Sequence, residues 1–422
     1  MKSSKTRLAL GALLAVMLIG AACGEEADTG SGDGGGFQAG ELGAVTVGPD
    51  EPLEFGVIQV ISGGEASLGE DQVRGIEIAV DDLGGEFRGH EIETQVEDGQ
   101  CTAEGGTTSA QSIVANEQIV GIIGTSCSGE AVPAAQIMSE AGFTMISGSN
   151  TSPILTSVAG KEGEAHQDGY FRTSHNDEIQ GAAAARFVYD ELGIQRAATI
   201  NDGDPYTEGM TTAFGRSYEQ LGGTITEATA VGPEDTDMRP VLTEIEASGA
   251  ELIFFPIFQP AGDFVAKQAR EMGYQGETLM GADGLLSDTF VTIPATEGMY
   301  FSGPATPTGQ TYADFVGKYE EAYGEKPIQS FHAHAYDATM ILFEALEQVV
   351  VEDDDGTLNI DRQELRDAVG ATENFDGITG TLTCDQFGDC ANPTIQVFQN
   401  TAQRKTIDQV RGEALFRFEP EQ

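Results

Sequence analysis

Between residues 54 and 300, apolar runs rich in β-branched side chains alternate with amphipathic stretches, and the alternation happens twice. The first series predicts strands over 55–61, 92–97, 119–123 and 143–146. One intervening helix spaces Val73, Ile76, Val80 and Leu83 along a single face. A second lies around 111–116, and a third carries Pro133 in its first turn, where a missing N–H costs little. The second series predicts helices near 177–192, 206–221, 238–247 and 262–272, with strands near 197–200, 224–230, 252–257 and 278–280. Strand–helix–strand units build parallel sheets with helices on both faces, so two such series mean an α/β chain of two doubly wound lobes. Met299-Tyr300-Phe301-Ser302 follows, then helices over 312–323, 331–350 and 362–369, and a tail over 375–400 of β-hairpin character.

The first residues stand apart from this pattern. Lys2, Lys5 and Arg7 precede an apolar run over 8–22 that is too short to span a bilayer and reads as a signal peptide, residues 1–22. Its end, Leu18-Ile19-Gly20-Ala21-Ala22-Cys23-Gly24, resembles a bacterial lipoprotein signal, with Gly20 where Leu is preferred. Cleavage before Cys23 and lipidation of its thiol would hold the exported chain on the cell membrane, facing the cell surface or periplasm. Ordinary secretion after cleavage at Ala22 is the plainer alternative. Residues 23–52 are rich in Gly and acids and poor in large apolar side chains, so a flexible linker is expected there. Gly30-Ser31-Gly32-Asp33-Gly34-Gly35 has no preceding strand or following helix, which argues against a nucleotide loop. The formal charge of −48, from 21 basic and 69 acidic residues, excludes nucleic acid as a natural partner, because counterion release needs basic surface. Scattered acids with scarce lysine suit a saline habitat, where salt screens self-repulsion. No cofactor or metal is expected.

Beyond Cys23 four cysteines remain, an even number that suits two disulfides in an exported protein. Three pairings are possible. Cys101–Cys127 with Cys384–Cys390 is favoured, since the first bridge ties two successive strand ends and is worth about 3–4 kcal/mol, and the second closes a tight loop worth about 2 kcal/mol. The unequal, long spacing does not fit zinc ligands.

The segment 124–156 carries the clearest chemistry. It reads as strand end, polar turn Ser126-Cys127-Ser128-Gly129, helix, strand, and a second polar turn Ser147-Gly148-Ser149-Asn150-Thr151. Two hydroxyl-rich loops at the carboxyl ends of neighbouring parallel strands cradle a small polar ligand. The first loop opens a helix whose free N–H groups favour a carboxylate. Ser126, Ser128, Ser149, Asn150 and Thr151 are therefore ligand candidates. Gly124-Thr125-Ser126-Cys127-Ser128 falls short of a nucleophile elbow because Ser128 replaces the last glycine. His332 and His334 lie two apart on one predicted helix and face different sides. No H-E-x-x-H occurs and no carboxylate pair stands out, so an enzyme is not expected.

Further landmarks carry a resemblance. Ile61-Ser62-Gly63 with Leu68-Gly69, Asp98-Gly99-Gln100-Cys101, Cys127-Ser128, Ser149-Asn150-Thr151 with Pro153 and Leu155-Thr156, Tyr206-Thr207-Glu208-Gly209, and Gly281-Ala282-Asp283-Gly284 occur in this order. Over 54–400 the chain resembles the leucine/isoleucine/valine-binding proteins, receptor subunits of bacterial ABC transporters with the type I periplasmic-binding fold. The resemblance implies three hinge crossings, near 172–173, 302–304 and 383–385. Lobe one would then be 53–172 plus 304–383, and lobe two 173–303 plus 384–422. It implies a small amino acid as ligand, branched-chain or apolar first, with a membrane permease and ATPase as partners and a monomeric receptor. Ser128 and Thr151 would hold the α-carboxylate, and Asp283 with the Ser149 carbonyl the α-ammonium. Asp283 stands where Glu is frequent, so the ligand would sit nearer lobe two or use a water. Tyr206 would close over the ligand, and Leu68, Phe258 and Phe331 would line the side-chain end. Short amides, urea-like compounds and aromatic acids are alternative ligands, and a sensory module docking on a signalling receptor is the alternative role.

Overall fold

The computed structural model describes residues 37–401 and 406–420. The expected signal peptide, Cys23 and most of the linker lie outside the described residues. The sheets and helices belong to one compact unit, Ala39–Gln422.

Two sheets organise this unit. The first runs, edge to edge, Glu86–Phe87, His90–Asp98, Leu53–Gln59, Ile119–Gly124, Met145–Ser147 and Tyr170–Arg172, parallel except for its first pair. Helices Ala66–Asp82 and His332–Val349 pack on one face around Val57, Ile76, Ile123 and Leu342. Helices Ala103–Val114 and Ser128–Glu140 pack on the other around Ile58, Ile113, Ile122 and Ala134. The second sheet runs Thr224–Ala230, Arg196–Asn201, Leu252–Phe254, Leu279–Gly281, Tyr300–Pro304, Ile395–Gln399 and Phe416–Phe418, parallel except that Ile395–Gln399 runs against both of its neighbours. Its faces are covered by Arg239–Ser248 and Ala261–Glu271, and by Asp177–Arg186 and Pro205–Gln220. Apolar strands buried on both faces explain why the sequence shows near-continuous apolar runs rather than strict alternation. The α/β class with two doubly wound lobes is the fold observed.

Four expectations need correction. The linker does not extend to residue 52: Ala44–Val47 pairs antiparallel with Leu358–Asp361 and buries Val45 and Val47 in the first lobe's core. The tail over 375–400 is not one hairpin. Phe375–Gly377 and Gly380–Leu382 form a short one, while Ile395–Gln399 joins the second sheet beside Tyr300–Pro304. The third crossing comes later than 383–385. Cys390 sits in the first lobe's core, and Asp389 bridges to Arg172 at that lobe's sheet edge, so the chain crosses between Cys390 and Ile395. Pro133 is the sixth residue of its helix, not in the first turn, because the helix begins at Ser128.

Candidate ligand-binding site

Each sheet has a switch point beside its first strand, where the connections leave in opposite directions, and the crevice there opens at the strands' carboxyl ends. The two crevices face each other. One pocket lies between them, lined from the first lobe by Glu65, Leu68, Ser126, Cys127, Ser128, Ser149, Thr151, Gln329 and Phe331, and from the second by Tyr206, Phe258, Asp283 and Gly284. Every ligand candidate except Asn150 lines it. Asn150 is fully buried: its side-chain oxygen accepts from Tyr170 and Thr125, and its carbonyl accepts from Arg172 and Ser174. It braces the second polar loop and does not face the ligand space.

The two polar loops are tied to each other before any ligand is present. Ser147 Oγ donates to the Thr125 carbonyl at 2.9 Å and receives the N–H groups of Ser149 and Asn150. Ser149 Oγ donates to the Ser126 carbonyl at 2.7 Å. Cys101 and Cys127 are disulfide-bonded, as are Cys384 and Cys390. The buried Glu130 gathers the N–H groups of Cys101, Ser126 and Cys127. Burial pushes its carboxyl up to about 8, against the pull of those hydrogen bonds. Ser126 Oγ is committed as well, donating to Gln59 at 2.5 Å and accepting from the Val60 N–H. Ser126 thus lines the pocket with its hydroxyl turned into the scaffold.

What remains at this end is selective. Gly129 N–H is taken by Asp204 of the facing lobe, and Ser128 Oγ accepts from the Ser152 N–H at 3.2 Å, keeping its own proton to donate. The backbone N–H groups of Ser128 and Thr151 have no partner among the described residues. Two free N–H groups and two hydroxyls beside a helix N-terminus form an anion cradle.

The facing lobe presents Asp283 at the end of strand Leu279–Gly281. Its Oδ1 accepts from Gln180 at 2.5 Å and from Tyr206 at 3.5 Å. Burial pushes its carboxyl up to about 6, and the Gln180 hydrogen bond opposes that. Tyr206 in turn accepts the Gly284 N–H and stacks obliquely on Phe258, ring centres 5.3 Å apart. Gln180 is held by His175 and by Ser302, so its amide is aimed at Asp283 by a fixed frame. Behind it lies Asp177, fully buried, its pKa driven well up by burial and by the nearby Asp283, with Arg172 and the Thr151 hydroxyl pulling the other way.

The rest of the pocket wall includes Leu68, Phe258 and Phe331, together with Glu65 and Gln329, which the sequence reading did not single out. Three hydrogen bonds join the lobes around the pocket: Gly129 N–H to Asp204 (3.1 Å), Ser152 Oγ to the Pro205 carbonyl (2.8 Å) and Gln259 N–H to Glu65 (3.0 Å). Glycine at 129 lets the Asp204 carboxylate approach, since a Cβ there would lie 2.3 Å from its Oδ2 and push it away. The cleft is therefore closed. Among the described residues no Lys, Arg or His lines it.

Comparison with known proteins fits this arrangement. A family model described as periplasmic binding protein matches residues 52–399. The Leu/Ile/Val-binding protein homolog 3 of Brucella melitensis is 26% identical over 351 residues, covering 82% of this chain and 91% of that protein. Two solved structures share the fold. One is the branched-chain amino acid transporter substrate binding protein LivJ of Streptococcus pneumoniae in complex with isoleucine (TM-score 0.72, 22% identity, 88% of this chain and 100% of that one). The other is an ABC transporter solute binding protein of R. palustris in complex with benzoate (TM-score 0.71, 20% identity, 87% of this chain and 97% of that one).

Proposed function

The chain belongs to the periplasmic binding protein family, a family of receptors and not of enzymes, and on that premise we propose that it is the extracytoplasmic receptor of an ABC importer. Its two lobes close on a small α-amino acid and deliver it to a membrane permease with its ATPase. The observation that carries this reading is the opposition of charge preference across one pocket. Free N–H groups and hydroxyls of Ser128 and Thr151 stand on one lobe, and the Asp283 carboxylate stands on the other. A zwitterion leaving water needs a partner at each charge, and this pair supplies both. Leu68, Phe258 and Phe331 suit an aliphatic stem, as branched-chain side chains have. An aromatic acid whose only charge is negative would leave Asp283 facing no cation, which disfavours benzoate-like ligands. Binding selects the closed state because only there are both lobes' contacts made.

A thermal-shift screen over the amino acids and short amides tests this. An amino acid at a hundred times its Kd stabilises the folded state by about 2.7 kcal/mol, which raises Tm by several degrees. Asp283→Ala should abolish the shift. A variant that keeps the full shift would refute the ammonium assignment.

A further inference from the structure

Glu65 occupies a position where its side chain has no structural task of the usual kind. It is the residue at the N-cap of helix Ala66–Asp82, yet its carboxylate makes no capping bond. Ser, Thr, Asp or Asn normally stand there for that bond. The side chain turns instead into the pocket wall, beside Leu68, Phe258, Gln329 and Phe331. Its Oε1 accepts one N–H, that of Gln259 from the facing lobe. Among the described residues its second oxygen has no hydrogen-bond partner. Burial, with Asp202 and Asp263 nearby, pushes its carboxyl up to about 8. Gln329 beside it spends its amide nitrogen on Ser67 Oγ at 3.1 Å, which leaves its carbonyl oxygen to the pocket. The Glu65 carboxyl, so raised, carries a proton at neutral pH, and a cation brought beside it favours the ionised form, so toward an amine tip the apolar end of the cleft offers two oxygen acceptors.

We propose that Glu65 and Gln329 set the specificity of the site by requiring a hydrogen-bond donor at the tip of the ligand's side chain, with a protonated amine the best match. This rests on the amino-acid reading above and narrows it. The α-carboxylate and α-ammonium use Ser128, Thr151 and Asp283. The aliphatic stem lies along Leu68, Phe258 and Phe331, and the tip meets Glu65. A lining with two carboxyl groups and no basic residue favours an additional positive charge over a purely aliphatic end. An aliphatic tip would shut Glu65 away from water without a partner, the costly half of the hydrogen-bond asymmetry.

The test is calorimetric titration of the wild type, Glu65→Leu and Glu65→Gln with leucine, glutamine and ornithine, which share the α-carbon groups and are of similar length. The wild type should bind ornithine and glutamine about 10- to 100-fold more tightly than leucine. Glu65→Leu should reverse that order. Glu65→Gln, which keeps the shape and serves if the leucine variant does not fold, should retain glutamine and lose the advantage of ornithine. A wild type that prefers leucine would overturn this inference and leave the amino-acid receptor standing. An unchanged order in either variant would overturn it too. A wild type that binds none of the three would overturn this inference, and the thermal-shift screen then decides the amino-acid reading separately.

Discussion

Asp204 is the clearest place to measure what holds the lobes together. Its Oδ1 accepts the Tyr206 N–H at 2.8 Å and caps helix Pro205–Gln220. Its Oδ2 accepts the Gly129 N–H at 3.1 Å, from the first turn of helix Ser128–Glu140 in the other lobe. The first bond persists when the cleft opens, and the second exists only when it is closed. Asp204→Ala removes both. The lost cap costs about 1 kcal/mol in the stability of the free protein. The lost bond to a charged acceptor is worth about 1.5–3 kcal/mol. Burial pushes the Asp204 carboxyl up to about 7, so desolvation offsets part of that gain and the lower end applies. About 1.4 kcal/mol is a tenfold loss of affinity. Asp204→Asn separates the two roles. Its oxygen still caps the helix, but its NH₂ faces another donor at Gly129. Calorimetry with the tightest-binding amino acid should give about tenfold weaker binding for both variants, while the Tm of the unliganded protein falls only for Ala. An Asn variant with wild-type affinity would refute the latch.

Other expectations follow from the same structure. Glu65, Glu130, Asp204 and Asp283 all have raised pKa values, about 8, 8, 7 and 6. The folded chain therefore holds more protons than the unfolded one from about pH 4 upward, and stability should fall as pH rises toward 8, each group contributing up to about 1.4 kcal/mol per pH unit in its own window. Urea unfolding that gains stability between pH 5.5 and 7.5 would contradict this. Cys101→Ser with Cys127→Ser should cost about 3–4 kcal/mol for a bridge spanning 26 residues and weaken ligand binding, since the loop before Ser128 loses its tether. Unfolding free energies and calorimetry together check both effects. Cys23→Ser should move the protein from the membrane fraction to the soluble one, and a wild type that takes up no labelled fatty acid would remove the anchor. The acidic surface should make the protein more stable in molar KCl than at low salt, and denaturation midpoints that do not rise would count against a saline adaptation.

The lobes were legible because each strand–helix unit carries its own local signal: Ile119–Gly124 is apolar throughout, and Ser128–Glu140 begins at a polar turn. Pairings over long separations were not. Ile395–Gln399 finds its partner almost a hundred residues upstream, so a local reading placed it in a hairpin. Ala44–Val47 has only four residues of alternation inside a glycine-rich stretch, and its partner is Leu358–Asp361. At the site, Thr151 and Asn150 look alike in sequence, and only Tyr170 and Arg172 show that Asn150 turns inward. Glu65 escaped notice because acids are everywhere in this chain and Gln259, which its side chain bonds, lies 194 residues away. Gln180 left a fainter trace, a polar position that follows Asp177 on a helix otherwise rich in alanine at its buried face.

The central claim is that the cleft holds a zwitterion, its carboxylate on Ser128 and Thr151 and its ammonium on Asp283. Calorimetric titration of the best amino acid beside its two truncated forms, the acid without the α-amine and the amine without the α-carboxylate, tests this most directly. Only the intact amino acid should bind with high affinity, each truncation costing at least tenfold. Equal affinity for the deaminated acid would contradict it.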